Sequence, residues 1–263
     1  MQGKTADTSK KSSALAAVVS IFVFLVIWQL GCQFTNVGKL LPGPVAVLKE
    51  FFKSFVVPIG NNTMPEHIAW SLYRVIPAYL VGAGLGIVIG ILMGWYQIAE
   101  AIFKPLYEII RPIPPLAWIP IAILWFGIGE GSKWFLIFLA SFVYTTSNAY
   151  AGARSVDQVL VGCAKMLGGS DRDVFRYIVL PSSQPYIFSG LQLALASSWA
   201  SCVAAEMIRS TEGVGWIIIS SMDTSNTVQT LVGIVAIGVV GYLLAVIMRG
   251  VEYRLCAWNR REL

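Results

Sequence analysis

Between two long apolar runs the chain reads RSVDQVLVGCAKMLGGSDRDVFRYIVLP, from Arg154 to Pro181. Apolar residues recur at helical spacing from Val156 to Leu167, which predicts an amphipathic helix that ends at Gly168-Gly169. Ser170 suits the N-cap of a second short helix, Asp171–Ile178, and the third residue after it is an aspartate, an imperfect capping box. A helix, a glycine corner and a second helix form a protrusion that suits docking to a partner. An amphipathic hairpin packed under its own protein fits the same pattern.

The composition around this segment is that of a membrane protein. The 263 residues are 56% hydrophobic and 13% charged, with a mean hydropathy of +0.70. Soluble domains carry about 25% charged residues, so this chain has too much apolar surface for water. We expect a lipid bilayer as its surroundings. The net charge of +5 then reflects cytoplasmic loops rather than a nucleic-acid partner.

Charge-free runs define the expected spans. Six runs have 18 or more residues, and a spanning helix needs about 20 mostly apolar residues. The fold class expected is an all-α membrane protein with six transmembrane helices. The N-terminus, 1–13, precedes a single transmembrane domain, 14–263. Its predicted spans are about 14–34, 70–96, 101–127, 132–153, 182–207 and 228–250.

The distribution of lysine and arginine predicts the orientation. With the N-terminus in the cytoplasm, twelve of these cations fall in inside segments and five in outside segments. Because cytoplasmic loops are enriched in cations, we expect both termini and the 154–181 loop in the cytoplasm.

The first outside segment, Pro42–Val57, reads PGPVAVLKEFFKSFVV. Pro44 suits the first turn of a helix, and five apolar residues follow at helical spacing: Val45, Leu48, Phe51, Phe52 and Phe55. The pattern predicts a helix that lies along the outer membrane surface. A helix packed on the surface of its own protein is equally compatible.

The sequence offers no catalytic or metal site. It contains no GxxxxGK[ST] phosphate loop, so ATP binding by that route is excluded for this chain. The single histidine, His67, completes no set of nucleophile, histidine and carboxylate. The four cysteines are scattered and fit apolar packing. We expect no enzyme activity and no cofactor in this chain.

Residues 162–181 resemble the cytoplasmic motif of the permease subunits of binding-protein-dependent ABC importers. That motif is Glu-Ala-Ala, three residues, Gly, nine residues and Ile-x-Leu-Pro. Here Gly162-Cys163-Ala164, Gly168 and Ile178-Val179-Leu180-Pro181 keep the spacing, although Gly162 and Cys163 replace the glutamate and the first alanine. Two further segments, RPIPPLAWIPIAILWFGIGEGSK and VAAEMIRSTEGVGW, narrow the resemblance to nitrate, sulfonate, taurine and bicarbonate permeases. It covers about Leu41 to Trp258 and is similar above all to taurine and alkanesulfonate permeases.

The resemblance implies the type I ABC importer (MetI-like) permease fold and a bacterial cytoplasmic membrane. It also implies two ATPase subunits that bind ATP and Mg, a second permease copy, and a periplasmic or lipoprotein substrate-binding protein. The 154–181 loop would be the coupling helix that docks in a cleft of the ATPase. Its expected docking residues are Gly162, Ala164, Lys165, Met166, Leu167, Gly168, Asp171, Arg172, Ile178, Leu180 and Pro181. The substrate would be a small anion, taurine or an alkanesulfonate first, with nitrate, bicarbonate or a vitamin precursor as alternatives.

Polar and proline residues at membrane depth are candidates for the translocation path or gate, because ionisable groups there are costly. Arg111 either faces the path or is structural, paired with Glu108 or with carbonyls that the prolines free. Glu206 is expected to hold an arginine or backbone groups. Trp118 fits core or interface packing. The full candidate set is Glu108, Arg111, Pro112, Pro114, Trp118, Ser198, Trp199 and Glu206.

Two other classes of protein compete with this interpretation. A self-sufficient secondary transporter or channel predicts internal repeats and several intramembrane carboxylates. The chain shows no convincing repeat and few such carboxylates. A membrane-embedded enzyme is disfavoured because the catalytic set is missing.

Overall fold

The computed structural model describes residues 2–34, 38, 41–208 and 210–256. Eleven α-helices and two short helical turns make up the described part, and no strand occurs there. In chain order they are α1 Gln2–Phe34, α2 Pro44–Lys53, α3 Met64–Trp95, α4 Gln97–Ile110, a 3-10 turn Pro115–Trp118, α5 Ile119–Phe126, α6 Glu130–Arg154, α7 Gln158–Met166, α8 Asp171–Val174, a π turn Phe175–Val179, α9 Leu180–Ile208, α10 Val214–Asp223 and α11 Thr227–Leu255.

Three helices of the described part are long and apolar enough to cross a membrane by themselves. They are α3, the continuous helix Asp171–Ile208 and α11. The pair α4 and α5 meets the same criteria together, with a bend of 84° at the break. Helices occupy every predicted span, so the all-α membrane fold is confirmed. The count of six spans stays a prediction.

The prolines after α4 produce the bend. Pro112, Pro114 and Pro115 remove successive N–H donors, so the α-helical hydrogen bonds stop after Arg111. Pro114 is extended, at φ −61° and ψ 141°, and the chain re-enters helix through the 3-10 turn. The predicted span 101–127 is therefore two helices that meet at an angle.

The chain divides into two compact units, and the first comprises Met1–Met64 and Ile217–Val235. Within it, α2 is tied to α1 because the Val45 N–H lies 3.4 Å from Oε1 of Gln29. At its other end the Met64 N–H, where α3 begins, donates to the Ser54 carbonyl at 2.9 Å. The helix predicted in Pro42–Val57 is present and is fixed at both ends.

The second unit comprises Pro65–Trp216 and Ala236–Leu263. In it α3 packs on α6 along a stripe of four glycines spaced four residues apart, Gly82, Gly86, Gly90 and Gly94. A Cβ atom at any of them would lie within 3.0 Å of an atom of α6. Small residues at this spacing let two apolar helices approach closely. This glycine stripe was not predicted from the sequence.

Helix α9 also packs on α6 by close approach at small residues. A Cβ atom on Gly190 would lie 2.6 Å from Cβ of Asn148, and one on Gly152 would lie 2.8 Å from Cβ of Tyr186. The Ser198 hydroxyl donates to the Ile137 carbonyl across this interface at 3.3 Å. Helices α3, α6 and α9 therefore form the core of the second unit.

Candidate functional site

A buried ion pair joins α3 to α9. Arg74 and Glu206 each expose 1% of their surface, and Nη1 of Arg74 lies 2.8 Å from Oε1 of Glu206. A buried charge is costly unless it is paired and hydrogen-bonded. This arginine uses its whole guanidinium: Nε and Nη2 bind the two oxygens of Glu130 at 2.7 and 2.9 Å, and Nη1 also donates to the Glu212 carbonyl.

Lys133 extends the ion pairs by one cation. Its ammonium group lies 2.9 Å from Oε1 of Glu130, one turn earlier on α6, and donates to the Ser210 hydroxyl at 2.6 Å. Two cations and two carboxylates therefore share one place, where the second unit brings together the starts of α3 and α6, the end of α9 and the segment after α9. We call Arg74, Glu206, Glu130 and Lys133 the Arg74 cluster.

The loop 210–216, which we define as the connection after α9 together with the first three residues of α10, is held by hydrogen bonds from its backbone. The Gly213 N–H donates to Nδ1 of His67 at 3.1 Å, and the Val214 N–H donates to the Ser71 hydroxyl at 3.0 Å. The Gly215 N–H donates to Oε2 of Glu206 at 3.0 Å. Three consecutive N–H groups thus have buried partners, which anchors this loop to α3 and α9.

A positive backbone angle and close packing both require glycine at position 213. Its φ is +109°, and a Cβ atom there would lie within 2.6 Å of both oxygens of Glu206. The His67 ring stacks on Trp216 with its centroid 5.2 Å away. Because Nδ1 of His67 accepts a hydrogen bond, its proton in this arrangement lies on Nε2.

Glu206 is the only predicted site residue in this cluster. It accepts hydrogen bonds from an arginine, the Ser71 hydroxyl and a backbone N–H, which is the geometry expected for it. No role for Arg74, Ser71 or Glu130 was predicted from the sequence. The charge of Arg74 inside an apolar run was the one signal that pointed here.

Arg111, at the proline break after α4, is not buried in an ion-pair cluster as Arg74 is. Arg111 and Glu108 are both exposed, and no ion pair joins their side chains in the described part of the chain. Pro112 and Pro114 are exposed beside them. The structural alternative of a Glu108–Arg111 pair is therefore wrong for this conformation. Trp118 is half-buried and packs edge-on against Phe135 of α6, with centroids 6.4 Å apart.

Ser198 and Trp199 do not face a common path. Ser198 is fully buried against α6, as described above. Trp199 is 6% exposed, and its indole N–H donates to the Ile237 carbonyl of α11 at 3.2 Å. Both side chains hold helices together within the second unit. These two candidates for the path or gate therefore serve helix packing in this structure.

The 154–181 loop is built from local hydrogen bonds. Asp157 caps α7 by accepting from the Val159 N–H at 2.8 Å. At the other end Gly168, at φ +87°, and Gly169 donate to the carbonyls of Lys165 and Ala164. This pair of bonds is the Schellman motif, so Gly168 ends the helix as predicted.

The corner continues directly into the capping box. The Asp173 N–H donates to the Ser170 hydroxyl, while the Ser170 N–H and hydroxyl donate to Oδ2 of Asp173. These hydrogen bonds hold the pKa of the Asp173 carboxyl, which lies before the predicted span 182–207, below its ordinary value. Lys165 and Asp171 close the corner with an ion pair of 2.9 Å.

The second predicted helix of the loop has different bounds. It was expected to end at Ile178, but α8 runs through the π turn into α9 without interruption. Pro181 lies inside this continuous helix, directly after the π turn, where the hydrogen bonding departs from the α-helical pattern. Ile178 and Leu180 pack against a buried cluster that contains Ile91 and Val174. These two motif residues therefore fasten the corner to the helices.

The end of α7 carries the most exposed apolar residues of the loop. Met166 is 90% exposed and Leu167 is 89% exposed. Lys165, Gly168, Asp171 and Arg172 are exposed around them, while Gly162 and Ala164 are half-buried. We call Met166 and Leu167 the tip. The structure holds this apolar tip on a rigid corner that no described part of the chain covers.

Similarity to known proteins assigns the chain to a family. Residues 86–256 match the family described as the binding-protein-dependent transport system inner membrane component. The chain belongs to this family.

Several relatives within this inner membrane component family are named as taurine, sulfonate or nitrate permeases. The chain is 35% identical to the taurine transport system permease protein TauC of Escherichia coli, over 92% of this chain and 89% of that protein. It is 34% identical to the putative aliphatic sulfonates transport permease protein SsuC of Bacillus subtilis, over 90% and 85%. It is 31% identical to the nitrate import permease protein NrtB of Leptolyngbya laminosa, over 88% and 84%. The resemblance to taurine, sulfonate and nitrate permeases is confirmed.

A solved structure supports the fold of the family. The chain superposes on one chain of the inward-facing MetNI methionine ABC transporter with a TM-score of 0.60, over 72% of this chain and 94% of that chain. The sequence identity is 15%, so this likeness carries the fold alone. The type I importer permease fold is confirmed, and the chain is a permease component of binding-protein-dependent transport.

Proposed function

We propose that this permease forms the translocation path of an ABC importer for a small anion, taurine or an alkanesulfonate first. The names and coverage of the relatives support this substrate class. Nitrate is the second candidate, because nitrate import permeases share 31% to 33% identity with this chain over most of their length. Bicarbonate and vitamin precursors stay alternatives from the resemblance.

The exposed tip of the 154–181 loop is the observation that supports an external energy source for transport. An exposed Met166–Leu167 pair on a Schellman corner and a capping box is an apolar contact held rigidly outward. We assign its partner as the cleft of a separate ATPase subunit, as the resemblance implies. Two ATPase subunits, two permease copies and a substrate-binding protein would then make up the importer. ATP binding would close the ATPase pair, and the coupling helices would rock the spans between inward-facing and outward-facing states.

The proposed topology has six spans with both termini in the cytoplasm. Helices α1, α3, α6, α9, α11 and the bent pair α4–α5 would be those spans. In that orientation the Arg74 cluster and the loop 210–216 lie on the outer side, and the 154–181 loop lies in the cytoplasm. The buried pairing of Arg74 would then hold the outer loop in place where the binding protein docks.

Arg111 is the proposed contact for the anion. Its side chain is exposed beside the proline break and is not paired with Glu108. Broken backbone at membrane depth is tolerated where protein or a water-filled cavity surrounds it. We therefore place Arg111 on the path and assign Pro112 and Pro114 to the break that exposes it.

Reconstitution tests the proposal directly. The permease, its ATPase subunit and its binding protein are placed in liposomes, and uptake of labelled taurine, an alkanesulfonate, nitrate and bicarbonate is measured with and without ATP. We expect uptake of taurine or the alkanesulfonate only with ATP and all subunits present. Uptake by the permease alone would show a self-sufficient transporter and overturn the proposal. Uptake of nitrate alone would select the second candidate.

Arg111→Gln separates a path role from a scaffold role in the same assay. The protein should purify normally, because the side chain is exposed, while anion uptake falls by about tenfold or more. Glu108→Gln is the matched control on the preceding turn and should keep most of the uptake. Loss of folded protein in Arg111→Gln would favour the scaffold role.

A further inference from the structure

Helix α2 has two apolar faces, and the protein uses one of them. Four residues at helical spacing are buried in the first unit, Pro44, Val47, Phe51 and Ser54. The residue after each of these is apolar and exposed: Val45 by 65%, Leu48 by 45%, Phe52 by 68% and Phe55 by 43%. One residue corresponds to a rotation of about 100° around a helix. The exposed α2 face, which continues past the end of the helix at Lys53 into the turn with Phe55 and Val56, is thus a second apolar stripe beside the packed one.

Cations border this exposed α2 face. Lys49 and Lys53 are both exposed and lie on its far edge, away from the buried stripe. Lys53 pairs with Glu50 at 3.1 Å, and within the described residues Lys49 forms no ion pair. An apolar stripe edged by lysines is the composition of a helix that lies in the plane of a lipid interface.

The connections of α2 hold it still. Gln29 of α1 contacts its first turn, and the Ser54 carbonyl at its end accepts from the Met64 N–H at the start of α3. The turn between α2 and α3 is closed by the Ile59 N–H, which donates to the Asn62 carbonyl at 2.8 Å. The exposed stripe is therefore presented at one fixed rotation, with Phe52 and Phe55 braced against the buried Phe51 ring.

We infer that α2 is a lipid-interface anchor, with its exposed face in the acyl-chain boundary and Lys49 and Lys53 at the headgroup phosphates. Ten residues of helix span about 15 Å, half the thickness of the hydrocarbon core, so α2 lies along the membrane rather than across it. Charge complementarity favours a lipid surface as the occupant, because anionic headgroups supply a counter-charge for Lys49, which forms no ion pair within the described residues, whereas Lys53 pairs with Glu50. The inference does not depend on the substrate or on the ATPase partner.

An anchor of this kind has a structural consequence. Because α2 is hydrogen-bonded to α1 and to the first residue of α3, its depth in the lipid interface also sets the depth of those two helix ends. A second copy of the chain or a binding protein would cover the same stripe with ordered protein instead. Lipid would leave the side chains of the stripe mobile, and the contact between stripe and lipid would depend on headgroup charge.

Nitroxide accessibility distinguishes these occupants. Single cysteines at Val45, Phe52, Val56 and Ala46 are introduced into a variant whose four native cysteines are replaced, and each is spin-labelled. The permease alone is reconstituted in vesicles of phosphatidylglycerol and phosphatidylcholine. We expect labels at Val45, Phe52 and Val56 to contact oxygen from the bilayer and to be shielded from a water-soluble nickel reagent. Ala46, on the opposite side of the helix, is the matched control and should show the reverse.

The lysine edge is tested by lipid selectivity. In Lys49→Gln with Lys53→Gln, the preference of the protein for spin-labelled phosphatidylglycerol over phosphatidylcholine should fall about twofold or more. Lys49→Arg with Lys53→Arg should keep it, because the charge remains. Nickel access at Phe52 equal to that at Ala46 would overturn the inference. Immobilised spectra with spin–spin broadening between copies would also overturn it, by showing that a second copy covers the stripe.

Discussion

The Arg74 cluster and the 154–181 loop are stabilised by contacts of opposite range. In the loop, the capping box and the Schellman bonds join residues at most five positions apart. In the cluster, Arg74 reaches Glu130 across 56 positions and Glu206 across 132, and beside the cluster Gly213 reaches His67 across 146. Arg74, Glu206 and Lys133 are also buried, whereas the tip of the loop is almost fully exposed. Variants in the cluster should therefore affect folding, and variants at the tip should affect function while the fold persists.

Arg74→Leu should have the largest effect on stability. It leaves the carboxylate of Glu206 buried without its cation, and breaking a buried pair in this way costs about 3–5 kcal/mol. We expect little folded protein, measured as the monodisperse fraction in detergent after heating. Replacing both partners, Arg74→Leu with Glu206→Leu, removes both charges and should recover much of the loss. Equal losses in the single and double variants would contradict the buried-pair explanation.

Gly213→Ala should rank second, because it combines two costs. Positive φ strains an alanine by about 1–3 kcal/mol, and its Cβ atom would also collide with the Glu206 carboxylate. Gly127→Ala is the matched control: its φ is +74°, but nothing lies within 4 Å of the added atom. The melting temperature in detergent should fall further for Gly213→Ala than for Gly127→Ala. A similar fall in both would show that strain alone matters at position 213.

The contrast in range explains what could be predicted from the sequence. The glycine corner, Ser170 as N-cap and the break after Arg111 follow from neighbouring residues, and the structure shows all three. The partner of Glu206 depends on which helices meet, and no local pattern reveals that Arg74 lies opposite it. The glycine stripe on α3 has a regular spacing and could have been predicted from the sequence. It was missed because its apolar run was already explained as a span.

The end of the second helix in the 154–181 loop was also beyond what local sequence could predict. The second helix was predicted to end at Ile178, before Leu180-Pro181. The chain instead continues as helix from Asp171 to Ile208, and the π turn directly before Leu180-Pro181 shifts the hydrogen bonding where the proline lacks an N–H. Packing of Ile178 and Leu180 on the cluster around Ile91 favours that continuation. A tertiary contact therefore overrode a local signal.

Ser170→Ala should cost about 1 kcal/mol, since it removes an N-cap side chain from the corner. Hydrogen exchange at residues 171–174 of α8 should quicken while α9 stays protected. The partner carboxyl gives a pH dependence. Because the pKa of Asp173 is lower in the folded loop than in the unfolded chain, its contribution is complete above the ordinary pKa of an aspartate.

That contribution is lost as the pH falls through the lowered value, so the protection factors at residues 171–174, which are corrected for the intrinsic pH dependence of exchange, should fall in acid in the natural protein. Asp173→Asn removes the titrating group and should show low protection factors at these residues without this acid dependence. An acid dependence that persists in Asp173→Asn would assign it to another group.

Leu167→Asp with Met166→Asp should change stability least and transport most. Both side chains are about nine-tenths exposed, so surface substitution should alter the melting temperature by little. If the tip docks in an ATPase subunit, two new carboxylates in an apolar cleft should abolish uptake and substrate-stimulated ATP hydrolysis. Val159→Asp, 68% exposed on the same helix, is the matched control. Normal uptake in the tip variant would move the docking surface away from Met166 and Leu167. A large loss of stability would instead show that the tip is covered within the permease, and the contrast with the Arg74 cluster would fail.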